Sequence, residues 1–489
     1  MSKNPIIPRR KPLRANVAMF SIGLNTYWQQ FPGLLDELLG KSARLVQKLE
    51  ANQVTVSDFG MVDCAQRAYE VLPKIKATDP DLLIVDMVTY GTSATFGAIV
   101  REMNCPVVLV ALQPLKAMDY ARGTTYMQLC NDDYCSVPEF TGVALRMGRP
   151  VADVIIGHLD DDPQADAALA EWCRIAHVRH DLRRARLGHM GHVLEAMLDM
   201  QTDPTLLTAQ LGCHVVQCEA DEMLPIYRGI DPAGKEVSDM KERILAFFDT
   251  PVPVSDPLTE KLTAADLETA AVVGVTLEKY ITHKSLDGLA YYYEGEPDSL
   301  TRKIVTNFIV GNSLLTAAGF PMCGEFDIKT CVAMLIMDRL EIGGSFAEFH
   351  PIDFLRDSVL VGHDGPHHLN IADGKPVIRS LKKYHGKPGF GAGVEFNIKT
   401  GPITMLSVSV NEQGRLRFVI AEGESMPGPI PPTGNTNTHG RFAPDVRTFL
   451  KRWSLCGPTH HFALGIGHHA DTLVKIADSF GIECLRATD

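Results

Sequence analysis

The stretch GGSFAEFHPIDFLRDSVLVGHDGPHH, residues 343–368, decides the fold of the last third of the chain. Within it, Asp357-Ser-Val-Leu-Val-Gly362 is short, rich in β-branched residues and flanked by turn residues, so it predicts a buried strand. His363 would emerge where that strand ends, and Glu348 would lie on the loop that leads into it. Such a carboxylate and imidazole on rigid support form the mixed oxygen and nitrogen pair that Mn²⁺ accepts.

Two side chains are too few for a metal site, so further ligands are expected elsewhere in the chain. Upstream, Cys323-Gly-Glu-Phe-Asp-Ile-Lys-Thr330 offers Glu325 where a glycine turn meets a helix; capping of that helix is the alternative role of this carboxylate. Downstream, Gly465-Ile-Gly-His-His469 offers two imidazoles after a glycine-rich turn. The sequence therefore predicts a site for Mn²⁺ or another divalent metal, and its predicted ligands are Glu325, Glu348, His363 and His469.

The bulk composition excludes several classes of protein. A net charge of −12 is atypical of nucleic-acid binders, and no apolar run reaches the ~18–20 residues that cross a bilayer. The first residues lack the apolar segment of a secretory signal, and the basic run Pro8-Arg-Arg-Lys-Pro-Leu-Arg14 is interpreted as a solvated arm. Eleven scattered cysteines without a CxxC pair are typical of reduced thiols. We expect a cytoplasmic protein whose partner is a small molecule, with no nucleic acid and no membrane.

The pattern of strands and helices predicts the fold class. Strand and helix segments alternate from residue 16 to about residue 177, which indicates a parallel sheet with helices on both faces. A charged stretch, residues 179–186, marks a boundary, and the His- and Gly-rich segment 187–192 that follows is interpreted as a loop. From residue 343 the composition becomes rich in β-branched residues, Gly and Pro, as in an antiparallel sandwich or barrel.

With 489 residues the chain is long enough for two or three domains. We predict an α/β protein made of two Rossmann-like α/β domains and a β-rich barrel or sandwich domain with a closing helix. The predicted boundaries are 1–182, 183–342 and 343–489.

The chemistry of such a metal site is broad. A divalent cation can hold adjacent hydroxyl and carbonyl oxygens and act as a Lewis acid, while Glu325 and Glu348 move a proton between neighbouring carbons. This arrangement suits aldose–ketose isomerisation through an enediol, and it also suits hydrolysis or aldol cleavage. No GxSxG or Cys/His/Asp arrangement indicates nucleophilic catalysis.

Five segments resemble the L-arabinose isomerase family, within the L-fucose/L-arabinose isomerase group, in order and approximate spacing. The family's GEGDWKTAAL resembles residues 324–333, its GGTSFMEDY resembles 343–349, its LGxHMLE resembles 361–365, and its GGxHHT resembles 465–470. Residues 387–402 are similar to the family's segment that ends in TGP. The resemblance covers roughly the last third of the chain in sequence and the first two-thirds only in architecture.

The resemblance implies a cytoplasmic, Mn²⁺-dependent aldose–ketose isomerase of carbohydrate metabolism. By it, Glu325, Glu348, His363 and His469 align with the metal ligands, and the two glutamates also align with the acid/base pair. It implies a homo-oligomer, often a hexamer, whose active site is shared between subunits. For Asp364, His367, His368 and His468 a supporting role and simple turn chemistry are both open, whereas His350 is expected to line the neighbouring loop.

The chain departs from the family at positions that border the sugar. Phe349 replaces an acidic residue, and Asp364-Gly-Pro-His367 replaces Met-Leu-Glu. Loss of a hydrogen-bonding partner can shift preference between sugars by orders of magnitude, so these changes predict a substrate other than L-arabinose. The alternatives are a metal enzyme on the same scaffold that acts on another polyol, sugar acid or branched sugar, and a catalytically silent sugar-binding homologue.

Overall fold

The structure is a computed structural model that describes residues 7–193, 197–250, 259–381, 383–384, 387–388, 391–431 and 435–488. The chain divides into two compact units. The first unit is Leu13–Asp181, and the second combines Met1–Pro12 with Leu182–Asp489.

The first unit is built from alternating strands and helices. Its elements are β1 (Asn16–Ile22), α1 (Thr26–Gln30), α2 (Leu34–Glu50), β2 (Thr55–Val62), α3 (Ala65–Ala77), β3 (Leu82–Asp86), α4 (Ser93–Val100), β4 (Val107–Gln113), α5 (Thr125–Cys130), α6 (Val137–Arg146), β5 (Asp153–His158) and α7 (Pro163–Leu182). The five strands pair in parallel in the order β2-β1-β3-β4-β5. The prediction of a parallel sheet with alternating helices is confirmed for this unit.

The second unit begins with another run of strands and helices. These elements are β6 (Arg186–Met190), α8 (Pro204–Leu211), β7 (His214–Cys218), α9 (Leu224–Arg228), α10 (Lys235–Phe247), β8 (Thr259–Glu260), α11 (Ala264–His283), β9 (Gly288–Tyr291), α12 (Leu300–Thr306), α13 (Phe308–Ala317), β10 (Met322–Cys323) and α14 (Ile328–Arg339). Short 3₁₀ turns occupy Leu198–Met200 and Ala220–Met223. Four of the strands form a parallel sheet in the order β10-β9-β6-β7.

Strand β6 corrects the interpretation of residues 187–192 as a loop. His189 is 5% exposed within this strand, between β7 and β9. A Cβ atom on Gly188 would approach Leu289 to 2.7 Å, so the glycine makes room for neighbouring leucines rather than for a turn. The strand was missed because glycine and histidine are rarely the residues that identify strands.

The last third of the chain is mostly strand. Its elements are β11 (Gly343–Asp353), β12 (Ser358–His363), the 3₁₀ turn Leu369–Ile371, β13 (Ala372–Leu381), β14 (Lys383–Tyr384), β15 (Lys387–Pro388), β16 (Ala392–Ile398), β17 (Gly401–Val410), β18 (Leu416–Met426), β19 (Thr436–Arg441), α15 (Val446–Leu455), β20 (Phe462–Ile466), α16 (Ala470–Phe480) and β21 (Glu483–Arg486). Ten strands follow the order β21-β18-β17-β20-β11-β12-β19-β16-β13-β8, and a further pairing of β18 with β19 closes part of this sheet into a barrel. The prediction of a β-rich barrel or sandwich is therefore confirmed as a barrel.

The mixed α/β class, with parallel Rossmann-like sheets and a C-terminal barrel, agrees with the prediction, whereas the number of domains stays a prediction. One hydrophobic core contains Ala271 and Val310 together with Val361 and Leu464 from the barrel. The predicted boundary between residues 342 and 343 therefore runs between elements that share a core, and it too remains a prediction.

The basic N-terminal segment is docked, so its interpretation as a solvated arm is wrong. Arg9 forms an ion pair with the buried Asp338 carboxylate, and the Arg10 backbone N–H donates to the Ala318 carbonyl at 2.9 Å. Lys11 pairs with Asp287. Within the described ranges, no helix combines the length and apolar character needed to cross a membrane.

Candidate metal centre

Three adjacent strands of the barrel bring one glutamate and two histidines together. Glu348 of β11 lies opposite Gly362 of β12, the residue before His363. On the other side of β11, Ala347 pairs with Phe462, the first residue of β20, so His461 precedes that strand beside Glu348. Glu348 was expected on a loop, but β11 extends from Gly343 to Asp353, so its side chain stands on a paired strand.

Strand β12 also needs a glycine at its end. A Cβ atom on Gly362 would lie 1.8 Å from the Thr436 carbonyl oxygen, so only glycine lets β19 pair this closely beside His363.

Glu325 reaches the same place from the loop between β10 and α14. Glu325 and Phe326 both adopt left-handed backbone conformations, with φ of 59° and 64°. The Phe326 N–H donates to the Tyr291 carbonyl at 3.0 Å, and its ring stacks on His189 with 3.3 Å between centroids. Asp327, not Glu325, caps α14, since its carboxylate accepts from the Thr330 N–H at 3.0 Å. The capping alternative for Glu325 is therefore wrong.

The distances define a compact cluster. His363 Nε2 lies 3.9 Å from Glu325 Oε1 and 3.8 Å from Glu348 Oε1. His461 Nε2 lies 3.3 Å from Glu325 Oε2. The ligand atoms of Glu325, His363 and His461 lie within 4.8 Å of one another, as do those of Glu348, His460 and His461. Of the predicted ligands, the structure thus brings Glu325, Glu348 and His363 together.

Each of the two buried imidazoles is oriented through its other nitrogen. His363 Nδ1 donates to the Asp364 carbonyl at 2.7 Å. His461 Nδ1 donates to Asp327 Oδ2 at 3.2 Å, and this carboxylate is fully buried. Both arrangements direct Nε2 into the cluster, and they match the hydrogen bonds that orient histidines bound to metals.

Electrostatics keeps the carboxylates ionised. Burial opposes ionisation of Glu348, but the hydrogen bond from His460 and the nearby imidazoles outweigh it and lower its pKa to about 2. The pKa of Glu325 is lowered in the same way, chiefly by His461 against the effect of burial. For His461, burial disfavours the charged form, but Asp327 and Glu325 outweigh it and raise its pKa to about 9. Burial lowers the pKa of His363.

His460 belongs to the Glu348 side of the cluster. Its Nε2 donates to Glu348 Oε2 at 2.7 Å, and its backbone N–H donates to Asp199 Oδ2 at 2.8 Å. Glu348 therefore uses one oxygen for His460 and turns the other toward His363. Sequence reasoning passed over both His460 and His461.

His469 is not in either group of potential ligands among the described residues. It stands at the start of α16, with its backbone N–H bound to Thr404 Oγ1 at 3.0 Å. Between His461 and His469 runs β20, which carries the chain roughly 16 Å at about 3.3 Å per residue. Gly457-Pro-Thr-His-His461 has the same Gly-x-x-His-His order as the predicted segment, and that repeated order is the signal that was overlooked.

The remaining predicted positions fall in different surroundings. His367 and His368 are buried, and their backbone N–H groups donate to Ser313 and Ser345. The Asp364 side chain is buried beside them, whereas His468 Nε2 lies near the Gly423 carbonyl with a half-exposed side chain. His350 Nε2 lies 3.9 Å from Glu348 Oε1.

Phe349 faces away from the cluster. Its ring contacts Phe442, Phe449, Trp453 and Phe462, which form an aromatic core under the barrel. Because side chains alternate along a strand, Glu348 and Phe349 occupy opposite faces of β11. This departure from the family therefore changes the aromatic core and lies on the opposite face of β11 from the Glu348 cluster, whereas the sequence placed it beside the sugar.

The donor set fits a divalent cation. His363 Nε2 and His461 Nε2 are buried and make no hydrogen bond of normal geometry; their neighbours are glutamate oxygens at 3.3–3.9 Å, and such an arrangement is costly unless another group satisfies the nitrogens. Ligands at about 2.1 Å from one ion lie about 3.0–3.5 Å apart, close to the separations between these nitrogens and the glutamate oxygens. Two carboxylates and two imidazoles suit Mn²⁺, Fe²⁺, Co²⁺ or Zn²⁺ rather than Ca²⁺.

Comparison with known proteins finds several proteins of similar sequence. No family model matches it. An L-arabinose isomerase of Nocardioides sp. is 23% identical over 464 residues, which cover 92% of this chain and 90% of the relative. L-arabinose isomerases of Aeromonas hydrophila and Klebsiella pneumoniae are 24% and 22% identical, over 70% and 71% of this chain and 68% of each relative. Together these similarities make the chain a divergent relative of L-arabinose isomerases, at 22–24% identity over 70–92% of its length.

Proposed function

We propose that the protein is a metal-dependent isomerase that interconverts an aldose and a ketose. One observation carries the proposal: Glu325 Oε1 and Glu348 Oε1 lie 3.9 and 3.8 Å from the same imidazole nitrogen, His363 Nε2. Proton transfer between adjacent carbons needs acid/base groups close to one another, because one carbon loses a proton and its neighbour gains one. The two carboxylates beside His363 Nε2 meet this requirement.

Glu325, Glu348, His363 and His461 would hold the cation, with His461 in the position that the sequence assigned to His469. A bound Mn²⁺ would act as a Lewis acid that polarises the sugar carbonyl. His363 and His461 are kept in the binding tautomer by the Asp364 carbonyl and by Asp327.

The two glutamates would carry the proton. Both are ionised near neutral pH, so either can begin as the base. One carboxylate would remove the proton from the carbon beside the carbonyl and return it to the former carbonyl carbon. The other would take the proton from the hydroxyl oxygen and deliver it to the former carbonyl oxygen, so that no proton is gained or lost overall.

The identity of the sugar is left to experiment, within pentoses and hexoses. The turn after His363 carries Asp364 and His367, both buried, where the family has apolar residues and a glutamate. We therefore expect a preference different from that of the L-arabinose isomerases.

Turnover with and without the metal tests the proposal. Chelated protein would be incubated with a panel of pentoses, hexoses, sugar acids and branched sugars, with and without Mn²⁺, and ketose formation and substrate consumption measured. Glu325→Gln removes a base without changing size, so it should fold, bind metal more weakly and lose at least 100-fold in kcat. Glu341→Gln, a change at an exposed glutamate after α14, is the matched control and should behave like the parent.

Each other outcome has a defined meaning. Turnover restricted to sugar acids or branched sugars would replace the substrate class, and metal binding without any turnover would support the silent homologue. Full activity of the Glu325→Gln variant would remove this residue from the acid/base pair.

A further inference from the structure

A buried lysine connects the first turn of α14 to a neighbouring turn. Lys329 is 2% exposed, and its Nζ donates to the Asp199 carbonyl at 2.7 Å and to Thr202 Oγ1 at 2.8 Å. Both acceptors belong to the segment around the 3₁₀ turn Leu198–Met200. Lys329 therefore fixes the position of this segment from inside the protein.

The same segment holds His460. Asp199 Oδ2 accepts the His460 backbone N–H at 2.8 Å, and His460 Nε2 donates in turn to Glu348 Oε2 at 2.7 Å. A continuous series of hydrogen bonds thus runs from Lys329 through Asp199 and His460 to Glu348. Neither Lys329 nor Asp199 is in either group of potential ligands, whereas His460 is grouped with Glu348 and His461.

The cost of burying Lys329 indicates that this residue serves to position its hydrogen-bond partners rather than to stabilise the fold. Burial of an ammonium group away from water is costly, and an apolar side chain of similar size often stabilises such a position at least as well. His460, in contrast, has a side chain that is 47% exposed, so packing alone does not hold its ring in one rotamer. Its backbone is anchored at Asp199, and its ring contacts the Glu348 carboxylate and the ring of His461.

We propose that Lys329 and Asp199 are positioning residues that hold His460 against Oε2 of Glu348 and thereby aim Oε1 of Glu348 at the metal and substrate. The inference rests on the proposed function, because it gives these residues a role in the work of Glu348. It adds two side chains, neither touching the reacting atoms, that set the orientation of the base.

Two variants and two controls test this role. Lys329→Met and Asp199→Ala each break one link, and Leu198→Ala changes an 80% exposed neighbour on the same turn. Asp199→Asn keeps an oxygen that can accept the His460 N–H and serves as the conservative rescue. We expect kcat to fall at least tenfold in the first two variants, with KM and the Mn²⁺ dissociation constant within about twofold of the parent. The two controls should keep most of the parent kcat.

A double-mutant cycle and a crystal structure separate positioning from general damage. If Asp199 acts through His460, Asp199→Ala should cause no further loss of kcat in a His460→Ala background. In crystals of the metal-loaded Asp199→Ala variant, the distance from His460 Nε2 to Glu348 Oε2 should exceed 3.5 Å, and in Leu198→Ala it should not.

The opposite results would overturn the inference. These are an unchanged distance in the Asp199→Ala crystals, additive losses in the double-mutant cycle, or equal losses of Mn²⁺ affinity and kcat in all variants. If the parent itself converts no sugar, the proposed function fails, while the distance measured in the crystals still decides whether Asp199 positions His460.

Discussion

Replacement of His461 by asparagine tests the assignment of the fourth ligand. The amide nitrogen of asparagine can occupy the place of His461 Nδ1 and still donate to Asp327, whereas nothing remains at the place of Nε2. The buried Asp327 carboxylate therefore keeps a partner, and the variant should fold. His469→Asn is the matched control, since it makes the same change in the histidine that the sequence favoured.

The magnitude follows from the contacts and the pKa. Groups that merely orient a metal-bound histidine contribute 10–100-fold to affinity, so loss of the ligand itself should cost at least about 100-fold. At pH 8 a group with a pKa of about 9 is neutral in about one molecule in ten, and this proton competition already weakens the parent about tenfold. The expected net loss in His461→Asn at pH 8 is thus at least about tenfold, or about 1.4 kcal/mol.

The assay is titration of chelated protein with Mn²⁺ under argon, with free Mn²⁺ read from its electron paramagnetic resonance signal. His469→Asn should titrate like the parent. If His461→Asn and the parent gave the same curve, the reasoning from the geometry would be refuted. Weakening confined to the His469→Asn variant would restore the sequence-based assignment.

Two further predictions concern pH. A ligated imidazole must be neutral, so the Mn²⁺ affinity of the parent should rise up to tenfold per pH unit between pH 7 and 9. In the His461→Asn variant this rise should be flatter. Equal slopes in both proteins would contradict a pKa of His461 raised by Asp327. In the first unit, burial raises the pKa of Asp86 to about 6 against the opposing effects of Lys41 and neighbouring hydroxyls. The proton on Asp86 stabilises the fold below about pH 4, and this contribution is lost as pH rises through about 6. The stability of Asp86→Asn relative to the parent, measured by urea unfolding, should therefore increase by about 2 kcal/mol between pH 4 and pH 6 and by up to about 3 kcal/mol over the whole titration. A constant difference would show that Asp86 titrates normally.

Local sequence patterns were sufficient for much of the fold. Strand–helix alternation in residues 16–177 identified the parallel sheet, and β-branched runs separated by Gly and Pro identified the strands around the barrel. The missed strand has a local cause, because β6 lacks the residues by which strands are recognised. The docking of Arg9 on Asp338 depends on a partner more than 300 residues away, which no local pattern reveals.

The residues of the candidate site could likewise be predicted only in part. Glu348 and His363 could be predicted, because they flank one hairpin and their pairing follows from the strands themselves. The choice between two Gly-x-x-His-His segments could not be made from the pattern, since only the register of β20 against β11 places His461 beside Glu348. The opposite orientation of Phe349 also follows from that register, although alternation along a strand would have suggested it.

The loop that carries Glu325 has a consequence for heat resistance. A left-handed backbone costs about 1–2 kcal/mol of stability for any residue other than glycine, and Glu325 and Phe326 both adopt this conformation in succession. The related family segment has glycine where this chain has Phe326. Selection for a higher melting temperature alone would therefore favour glycine at this position and remove the ring that stacks on His189. The left-handed backbone favours glycine at this position, whereas the stack on His189 requires the Phe326 ring.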